Sequence, residues 1–320
     1  MMSTSTSTTP LVDHIVILIP HSFLSASPSW FADLFRFYPG GRHADGLTEN
    51  TLALLADGSY LEFIAFVPGA DPARRAAHHW GGKEEGTVVD WALTLPLPLS
   101  SPEEDEGKEK TAAARLTGQQ KAFREIQRRV RDARAGIEYA DLAGGGRLRP
   151  DGAVLKWEVA FPKRADDGGP VERGTVPFWC LDVTPRELRV PYETAPGFAK
   201  HPSGAVGVAK IEVLVDPGNT VEGARAVYDV LFGQGAKDET ADAKAGGGGE
   251  WKVGTLAGQG VHSGGAVRLR AADADGSGGL HINISFFTED ASLVGKSVGG
   301  KVDEKHTLTF NLVAAFDGSG

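Results

Sequence analysis

Three stretches of the chain repeat one order of apolar and polar positions: a strand, a helix, and then two or three strands. The first stretch, residues 11–67, opens with the apolar run LVDHIVILIP. The aromatic segment SPSWFADLFRF follows with apolar side chains at helical spacing, and the turn-like YPGGRHADG should end that helix. Two apolar strands near 50–56 and 59–67 flank Asp57-Gly58, which is a strong hairpin signal.

The same order returns twice along the chain. Residues 87–184 read as an apolar strand, a helix over about 116–135 and three further strands, and residues 205–316 repeat the pattern less regularly. A Pro-rich connector, residues 185–204, separates these two stretches, and residues 1–10 form a Ser/Thr-rich leader that we expect to be disordered. This internal repetition predicts an α+β fold built from βαβββ modules.

Composition and charge narrow the class of protein. The net charge of −9 argues against nucleic acid as a partner, and the charged stretch 98–111 is expected to be a solvated linker. A single cysteine, Cys180, suits a reducing compartment, and no run approaches the ~18 apolar residues of a membrane span. The N-terminus lacks the features of a signal peptide, so we expect a cytoplasmic protein that does not contact membranes. The chain has no HExxH, CxxC, Walker or GxSxG motif, and no nucleotide cofactor is expected.

His14 and Glu62 are the strongest candidates for chemistry. Each is a polar residue in the middle of an apolar strand, where a side chain without a partner would be costly. One explanation is a divalent metal, since imidazole and carboxylate groups are common ligands of Zn, Fe, Mn and Ni. Such a metal would polarise a substrate oxygen while a carboxylate moves a proton. The alternative is that the two side chains bond each other or the backbone inside a core.

Further polar and aromatic residues could line a substrate cavity. The loop HHW is placed to reach a cavity mouth, and the turn GGRH offers a histidine and an arginine that could bind a carboxylate. Each has an ordinary structural alternative, as a packed loop or an exposed turn, and Cys180 is favoured as an inert buried thiol. The predicted substrate-binding residues are Arg42, His43, His79, Trp80, Lys156 and Trp179.

Four segments together resemble a known family. VDHIVILIP, FYPGGRHADGLTENTLALLADGSYLEFIAF, HHWGGKEEGTVVDWAL and FWCLDVTPRELRVP are similar to glyoxalase-like domain proteins common in fungi, which belong to the vicinal-oxygen-chelate superfamily. The resemblance covers about residues 11–200. It implies that residues 11–184 are paired βαβββ modules, each curling into a cupped half-barrel around a cavity.

The resemblance also implies where metal ligands should lie. His14 stands where the family has a first-strand histidine, and Glu62 where it has a last-strand carboxylate. Asp90 occupies the corresponding first-strand position of the second module, while the last strand of that module offers neither His nor Glu. The predicted metal ligands are therefore His14, Glu62 and Asp90, of which His14 and Glu62 are also the predicted catalytic residues.

The expected function is that of a metal-dependent lyase or isomerase acting on a small oxygenated organic molecule. One alternative is a non-enzymatic protein of the same fold that sequesters a small molecule. A metal-dependent dioxygenase is a weaker alternative, because its iron site usually needs two histidines beside the carboxylate. A homodimer is one expected assembly.

Overall fold

The apolar runs of the first two stretches form the strands of one closed barrel. The computed structural model describes residues 9–96, 108–215, 221–237, 248–256, 264–272 and 280–315. The strands up to the connector are β1 (Leu11–Leu18), β2 (Tyr38–His43), β3 (Thr48–Leu54), β4 (Tyr60–Phe66), β5 (Thr87–Thr94), β6 (Ile137–Tyr139), β7 (Ala143–Leu148), β8 (Val154–Ala160), β9 (Pro162–Arg164) and β10 (Phe178–Asp182).

Six helices and seven further strands complete the described elements. The helices are α1 (Ser22–Ser25), α2 (Ser29–Leu34), α3 (Pro72–Ala77), α4 (Lys108–Asp132), α5 (Arg186–Arg189) and α6 (Val221–Phe232), with one 3-10 turn at Pro196–Ala199. The remaining strands are β11 (Ala205–Val215), β12 (Ala236–Lys237), β13 (Gly249–Val253), β14 (Gly265–Ala271), β15 (His281–Thr288), β16 (Ser297–Lys301) and β17 (Thr307–Ala314).

Two βαβββ modules make the barrel. Its strands follow the order β1-β4-β3-β2-β7-β8-β10-β5, so β1 to β4 form one half and β5, β7, β8 and β10 the other. The halves meet where β1 pairs with β5 and where β2 pairs with β7. The prediction of an α+β fold made of repeated βαβββ modules that form cupped sheets is confirmed.

The C-terminal strands repeat the plan of the barrel without closing it. In the second sheet β11 pairs parallel with β14 and antiparallel with β15, as β1 pairs with β4 and with β5. The pairing of β17 with β15 and with β16 likewise matches that of β10 with β5 and with β8. Residues 205–316, predicted as one third module, thus contain a whole βαβββ module, from β11 to β14, and three strands of a further one, β15 to β17. Within the described residues this sheet has seven strands and stays open.

Several local predictions differ from the structure. Pro39-Gly40-Gly41, expected to be a turn, is part of β2, with a register shift between Pro39 and Gly41. A Cβ on Gly40 would lie 2.0 Å from the backbone oxygen of Asn50, so only glycine allows the two strands to approach here. Helix α4 begins at Lys108, eight residues before its expected start, while most of the charged linker and of the leader lies outside the described residues.

The apolar core has two main parts. One lies inside the barrel and includes Val16, Leu18 and Phe178, and the other joins the outside of the barrel to the helices and the second sheet. In β1, alternate residues such as Ile15 and Ile17 face this outer core with no exposed surface. Because both faces of β1 are buried, its sequence is almost wholly apolar. No helix in the described part of the chain is long and apolar enough to cross a membrane.

The Asp57 side chain connects the barrel to the second sheet by hydrogen bonds, and its removal should lower the stability of the protein. Its buried carboxylate accepts hydrogen bonds from the backbone N–H of Ser59 (2.9 Å), the Ser59 hydroxyl (2.6 Å) and the N–H of Val208 in β11 (2.9 Å). We expect Asp57→Ala to lower the free energy of unfolding by about 2 kcal/mol, because it leaves buried donors unpaired. Urea unfolding of Asp57→Ala beside the exposed variant Asp33→Ala measures this. Equal stability of the two variants would contradict the assigned role.

Candidate active site in the barrel

The barrel encloses a cavity with one aromatic wall and one polar wall. Its volume is about 260 Å³, and it lies between side chains from both modules. The aromatic wall is formed by Trp80, Trp157, Phe161 and Phe178, and the polar wall by His14, His43, Asn50, Tyr60, Glu62 and Arg147. Because most of the surrounding surface is apolar, interactions among the polar groups are stronger than they would be in water.

Glu62 lies between two histidines on the polar wall. Its Oε2 is 3.5 Å from Nε2 of His14, and its Oε1 is 3.4 Å from Nε2 of His43. These residues come from β4, β1 and β2, so one module supplies all three. The predicted pair of His14 and Glu62 is thus brought together, and His43, predicted as a substrate-binding residue, joins it.

The other nitrogen of each imidazole is held by a hydrogen-bonding partner. His14 Nδ1 is 2.6 Å from a carboxylate oxygen of Asp13, and His43 Nδ1 is 2.7 Å from the hydroxyl of Thr48. The His14 ring also stacks on Tyr60, with 4.7 Å between centroids. These contacts fix both rings with Nε2 toward Glu62. Histidines that bind metals are commonly oriented in this way by a second partner on the far nitrogen.

Glu62 is ionised at neutral pH. Burial would raise its pKa, but the hydrogen bond and charge of His43, the charge of His14 and the hydrogen bond from Asn50 outweigh burial and lower the pKa to about 2. The amide Nδ2 of Asn50 donates to Oε1 of Glu62 at 2.5 Å. The Asn50 oxygen accepts from Gly41 N (3.1 Å) and from Arg147 (2.9 Å), which fixes the orientation of the amide.

A buried cluster of charges lies behind His14. A register shift between Val12 and His14 leaves Asp13 as an extra residue in β1, so two successive polar side chains are both buried there. Arg186 and Arg189 of α5 both donate to the Asp13 carboxylate, and both also pair with Asp182. Burial would raise the pKa of Asp13, but the two arginines, with His14, hold it well below its usual value.

The remaining predicted site residues divide into two groups. His79 and Trp80, of the HHW loop, lie in the cavity wall. Burial lowers the pKa of His79 to about 2, so this ring stays neutral. Arg42, Lys156 and Trp179 do not lie at the cavity: Arg42 and Lys156 are exposed, and Trp179 is fully buried on the outside of the barrel against Phe123 of α4.

Asp90 is buried but does not join His14 and Glu62. Its carboxylate accepts hydrogen bonds from Arg173 and from Nε1 of Trp80 (3.0 Å), and it is absent from the cavity wall. Burial raises the pKa of Asp90, although the Arg173 charge and these hydrogen bonds oppose the effect. The structure therefore gives Asp90 an ion-pair partner, Arg173, and the side chain that lies with His14 beside Glu62 is His43 and not Asp90.

The donor atoms around Glu62 are spaced in pairs as metal ligands would be, but the donors of His14, His43 and Glu62 do not all lie within 4.8 Å of one another, so a bound ion would require a side chain to shift. Tetrahedral sites with bonds of about 2.1 Å place ligand atoms about 3.4 Å apart, close to the separations of Glu62 from the two Nε2 atoms. The group within the described residues whose donors do all lie within 4.8 Å of one another is a second one, Asp13, His14 and Cys180, which shares His14 with the first. That second group fits poorly, because two arginines already neutralise Asp13 and burial raises the pKa of the Cys180 thiol well above its usual value.

Sequence reasoning missed several residues of the polar wall. Asn50 and Tyr60 were read only as members of apolar strands, and Arg147 as the start of one. The signal that could have found Asn50 is the one that identified Glu62, a polar side chain within an apolar strand. Arg147 carried no such signal, since it follows three glycines in a strand with few apolar residues.

The fold and the site together define a paired-module barrel of the vicinal-oxygen-chelate class, with a histidine- and carboxylate-lined cavity. A family profile described as a glyoxalase-like domain matches residues 12–227, which is more than half of the chain. The chain therefore belongs to the glyoxalase-like domain family. No curated protein sequence matches it significantly.

Two solved structures show how far the fold likeness extends. A hypothetical protein from Staphylococcus aureus superposes with a TM-score of 0.58 at 12% identity, covering 95% of this chain and 100% of that one. At that identity the likeness concerns the fold alone. A xylose isomerase-like TIM barrel/4-hydroxyphenylpyruvate dioxygenase fusion protein gives a TM-score of 0.37 at 13% identity, over 89% of this chain and 37% of that one, which is too low to support an argument.

Proposed function

We propose that the protein is a metal-dependent lyase or isomerase that acts on a small oxygenated organic molecule in the barrel cavity. The observation that carries this proposal is the arrangement of Glu62 between the Nε2 atoms of His14 and His43, each ring held by a second partner. Two histidines and a glutamate are a donor set found in catalytic zinc sites. When bound there, a divalent metal supplies a Lewis acid that polarises a substrate oxygen.

The chain's own residues would position the substrate and exclude water. The aromatic wall, with Trp157 and Phe178, offers apolar surface to a flat organic group, while Asn50 holds the carboxylate of Glu62 in place. Glu62 faces the cavity and is the proposed carrier of a proton between neighbouring substrate atoms; at a pKa of about 2 it is a weak base in the ligand-free chain, so this role requires the substrate to displace part of its contact with the two histidines. His79 is a weak base at its lowered pKa, so its proposed role is to contact substrate.

Metal analysis of protein purified without chelators tests this proposal. We expect about one divalent metal per chain in the wild type and a loss of most of it in His14→Ala, His43→Ala and Glu62→Ala. The matched control is His21→Ala, since His21 also pairs with a glutamate, Glu49 at 3.0 Å, but lies outside the cavity.

A further variant separates the two donor groups. Cys180→Ala should keep its metal if His43 and Glu62 are ligands, and should lose it if the ion lies with Asp13, His14 and Cys180. Absence of metal from the wild type, even after exposure to Zn, Fe, Mn and Ni salts, would refute the metalloenzyme proposal. That result would favour a binding protein, for which the aromatic wall is the supporting observation.

A metal-dependent dioxygenase is a second candidate. The sequence offered one histidine beside the carboxylate, whereas the structure places His43 there as well. Two histidines and one carboxylate are the usual ligands of non-haem iron oxygenases. Anaerobic reconstitution with Fe(II), followed by substrate-dependent oxygen uptake, would distinguish this chemistry from the lyase or isomerase reaction, which consumes no oxygen.

The remaining expectations belong to the same proposal. The partner is a small molecule rather than nucleic acid or a membrane, in keeping with the net charge of −9. A cytoplasmic location agrees with the single cysteine, which is buried and forms no disulfide. The fungal type and a homodimeric assembly stay predictions from the sequence.

A further inference from the structure

Arg147 is a buried cation without an ionic partner. It is 3% exposed, and no carboxylate within the described residues comes within 4.0 Å of its guanidinium nitrogens. Its Nη1 donates to Asn50 at 2.9 Å, while Nε and Nη2 are buried without any hydrogen-bond partner. A buried, unpaired N–H group destabilises a protein by about 1–3 kcal/mol, and a charged one by more. A protein keeps buried, unpaired N–H groups only where another interaction or a function offsets this destabilisation.

The two unpaired nitrogens lie on one edge of the guanidinium group. Nε–H and an N–H of Nη2 point the same way, and this pair is the fork that receives the two oxygens of a carboxylate side by side. Nη1, the third nitrogen, is already bonded to Asn50 and keeps the plane of the group fixed. The free edge therefore matches a planar carboxylate better than a single hydrogen-bond acceptor.

We infer that Arg147 binds a carboxylate group of the cavity's ligand, so that the ligand is a small carboxylic acid. The inference deepens the proposed function and rests on the same cavity, whose wall includes Arg147. Both free nitrogens are closed to solvent in the ligand-free chain, so binding of the carboxylate requires a neighbouring side chain to move aside.

The position of Arg147 gives the ligand an orientation. Arg147 in β7 is the direct cross-strand partner of His43 in β2. Asn50 bridges Arg147 to Glu62, with its oxygen on the guanidinium and its amide nitrogen on the carboxylate. Because Nη1 is bonded to Asn50, the free edge of the guanidinium faces the other way, and a carboxylate held there lies on the side of Arg147 opposite Asn50 and Glu62.

The aromatic wall favours an acid with a flat apolar body. Gly145 precedes Arg147 by two residues on the same strand, and a Cβ there would lie 2.4 Å from Nε1 of Trp157. The glycine thus allows the Trp157 ring to lie over β7, beside Arg147 on the cavity wall. With a volume of about 260 Å³, the cavity is slightly smaller than the usual range for ligand sites, which begins at about 300 Å³.

Binding of benzoate to chelator-treated protein, measured by calorimetry, tests the inference without any metal or turnover. Benzamide serves as the neutral ligand of similar shape, and inorganic phosphate as an anion of different geometry. We expect benzoate to bind more tightly than either, and Arg147→Met to weaken benzoate at least about tenfold while leaving benzamide unchanged. Arg147→Lys should recover part of the affinity, because it keeps the charge but loses the fork.

Arg149→Met is the matched control, since Arg149 lies two residues further on, pairs with Asp151 at 2.5 Å and is absent from the cavity wall. It should bind benzoate as the wild type does. The melting temperature of Arg147→Met should equal or exceed that of the wild type, because the substitution removes two buried, unpaired donors. A purely structural arginine would instead lower it.

The outcomes separate this inference from the proposed function. No benzoate binding to the wild type, or equal binding by Arg147→Met, overturns the carboxylate site even if the metal analysis succeeds. Phosphate binding more tightly than benzoate also overturns it, in favour of a phosphate-bearing ligand. Benzoate binding that depends on Arg147 in a protein that takes up no metal supports the carboxylate site and refutes only the metal-dependent reaction.

Discussion

Asp13→Asn is expected to lower the free energy of unfolding by about 3–5 kcal/mol. This is the largest effect that we expect from replacing any one charged residue near the cavity by an uncharged residue of similar shape. Asp13 has no exposed surface, and its carboxylate receives both Arg186 and Arg189. These arginines are themselves buried, so removing the negative charge leaves an excess positive charge in the interior.

The size of this effect follows from the balance of the cluster. Two aspartates, Asp13 and Asp182, face two arginines, and the four charges cancel. Removing one member of a buried, balanced set costs far more than removing one member of an exposed pair, because water cannot replace the missing charge. The substitution would also leave His14 Nδ1 without its anionic partner.

Urea unfolding at pH 7 measures the loss. Glu125→Gln is the control, since Glu125 forms a short ion pair with Arg128 (2.6 Å) on the exposed face of α4, and it should change stability little. A variant Asp13→Asn as stable as the wild type would mean that Asp182 alone can hold both arginines.

The strand pairings explain why His14 and Glu62 could be predicted from the sequence. The strands β1 and β4 are buried on both faces, so their residues are apolar almost without interruption, and the few polar side chains, Asp13 and His14 in β1 and Glu62 in β4, stand out. The two strands are also direct neighbours, with Val16 opposite Glu62. The same local reasoning predicted the hairpin at Asp57-Gly58 and the order of elements within each module.

The rest of the site depends on contacts between distant parts of the chain. Arg147 reaches His43 only because the second module closes the barrel against the first, through β2 and β7. Arg186 and Arg189 reach Asp13 across more than 170 residues of sequence. Neither contact leaves a periodic signal, because each depends on how whole modules pack and on a one-residue irregularity in β1.

Ionised Glu62 is expected to contribute about 3 kcal/mol to the free energy of unfolding of the wild type at pH 5. Lowering the pH to 2.5 should remove most of this contribution. The pKa of Glu62 is lowered from its usual 4.5 to about 2 in the folded chain. A carboxylate with a lowered folded-state pKa stabilises the fold fully above its unfolded-state pKa. That stabilisation disappears as the pH falls through the window from 4.5 to 2, because the unfolded chain takes up its proton first.

In chelator-treated protein, Glu62→Gln isolates this contribution, since glutamine keeps the shape of the side chain but cannot titrate. Its stability curve should fall less steeply than that of the wild type between pH 5 and pH 2.5, with the two curves converging by about 2 kcal/mol when followed by urea unfolding. Asp303→Asn is the control: the pKa of Asp303 is also lowered to about 2, chiefly by hydrogen bonds from His306, but the group is exposed and screened by water. Parallel curves for the wild type and Glu62→Gln would show that Glu62 titrates alike in the folded and unfolded chains. The two histidines would then not hold it as an anion, and the arrangement proposed to bind a metal would lose its electrostatic basis.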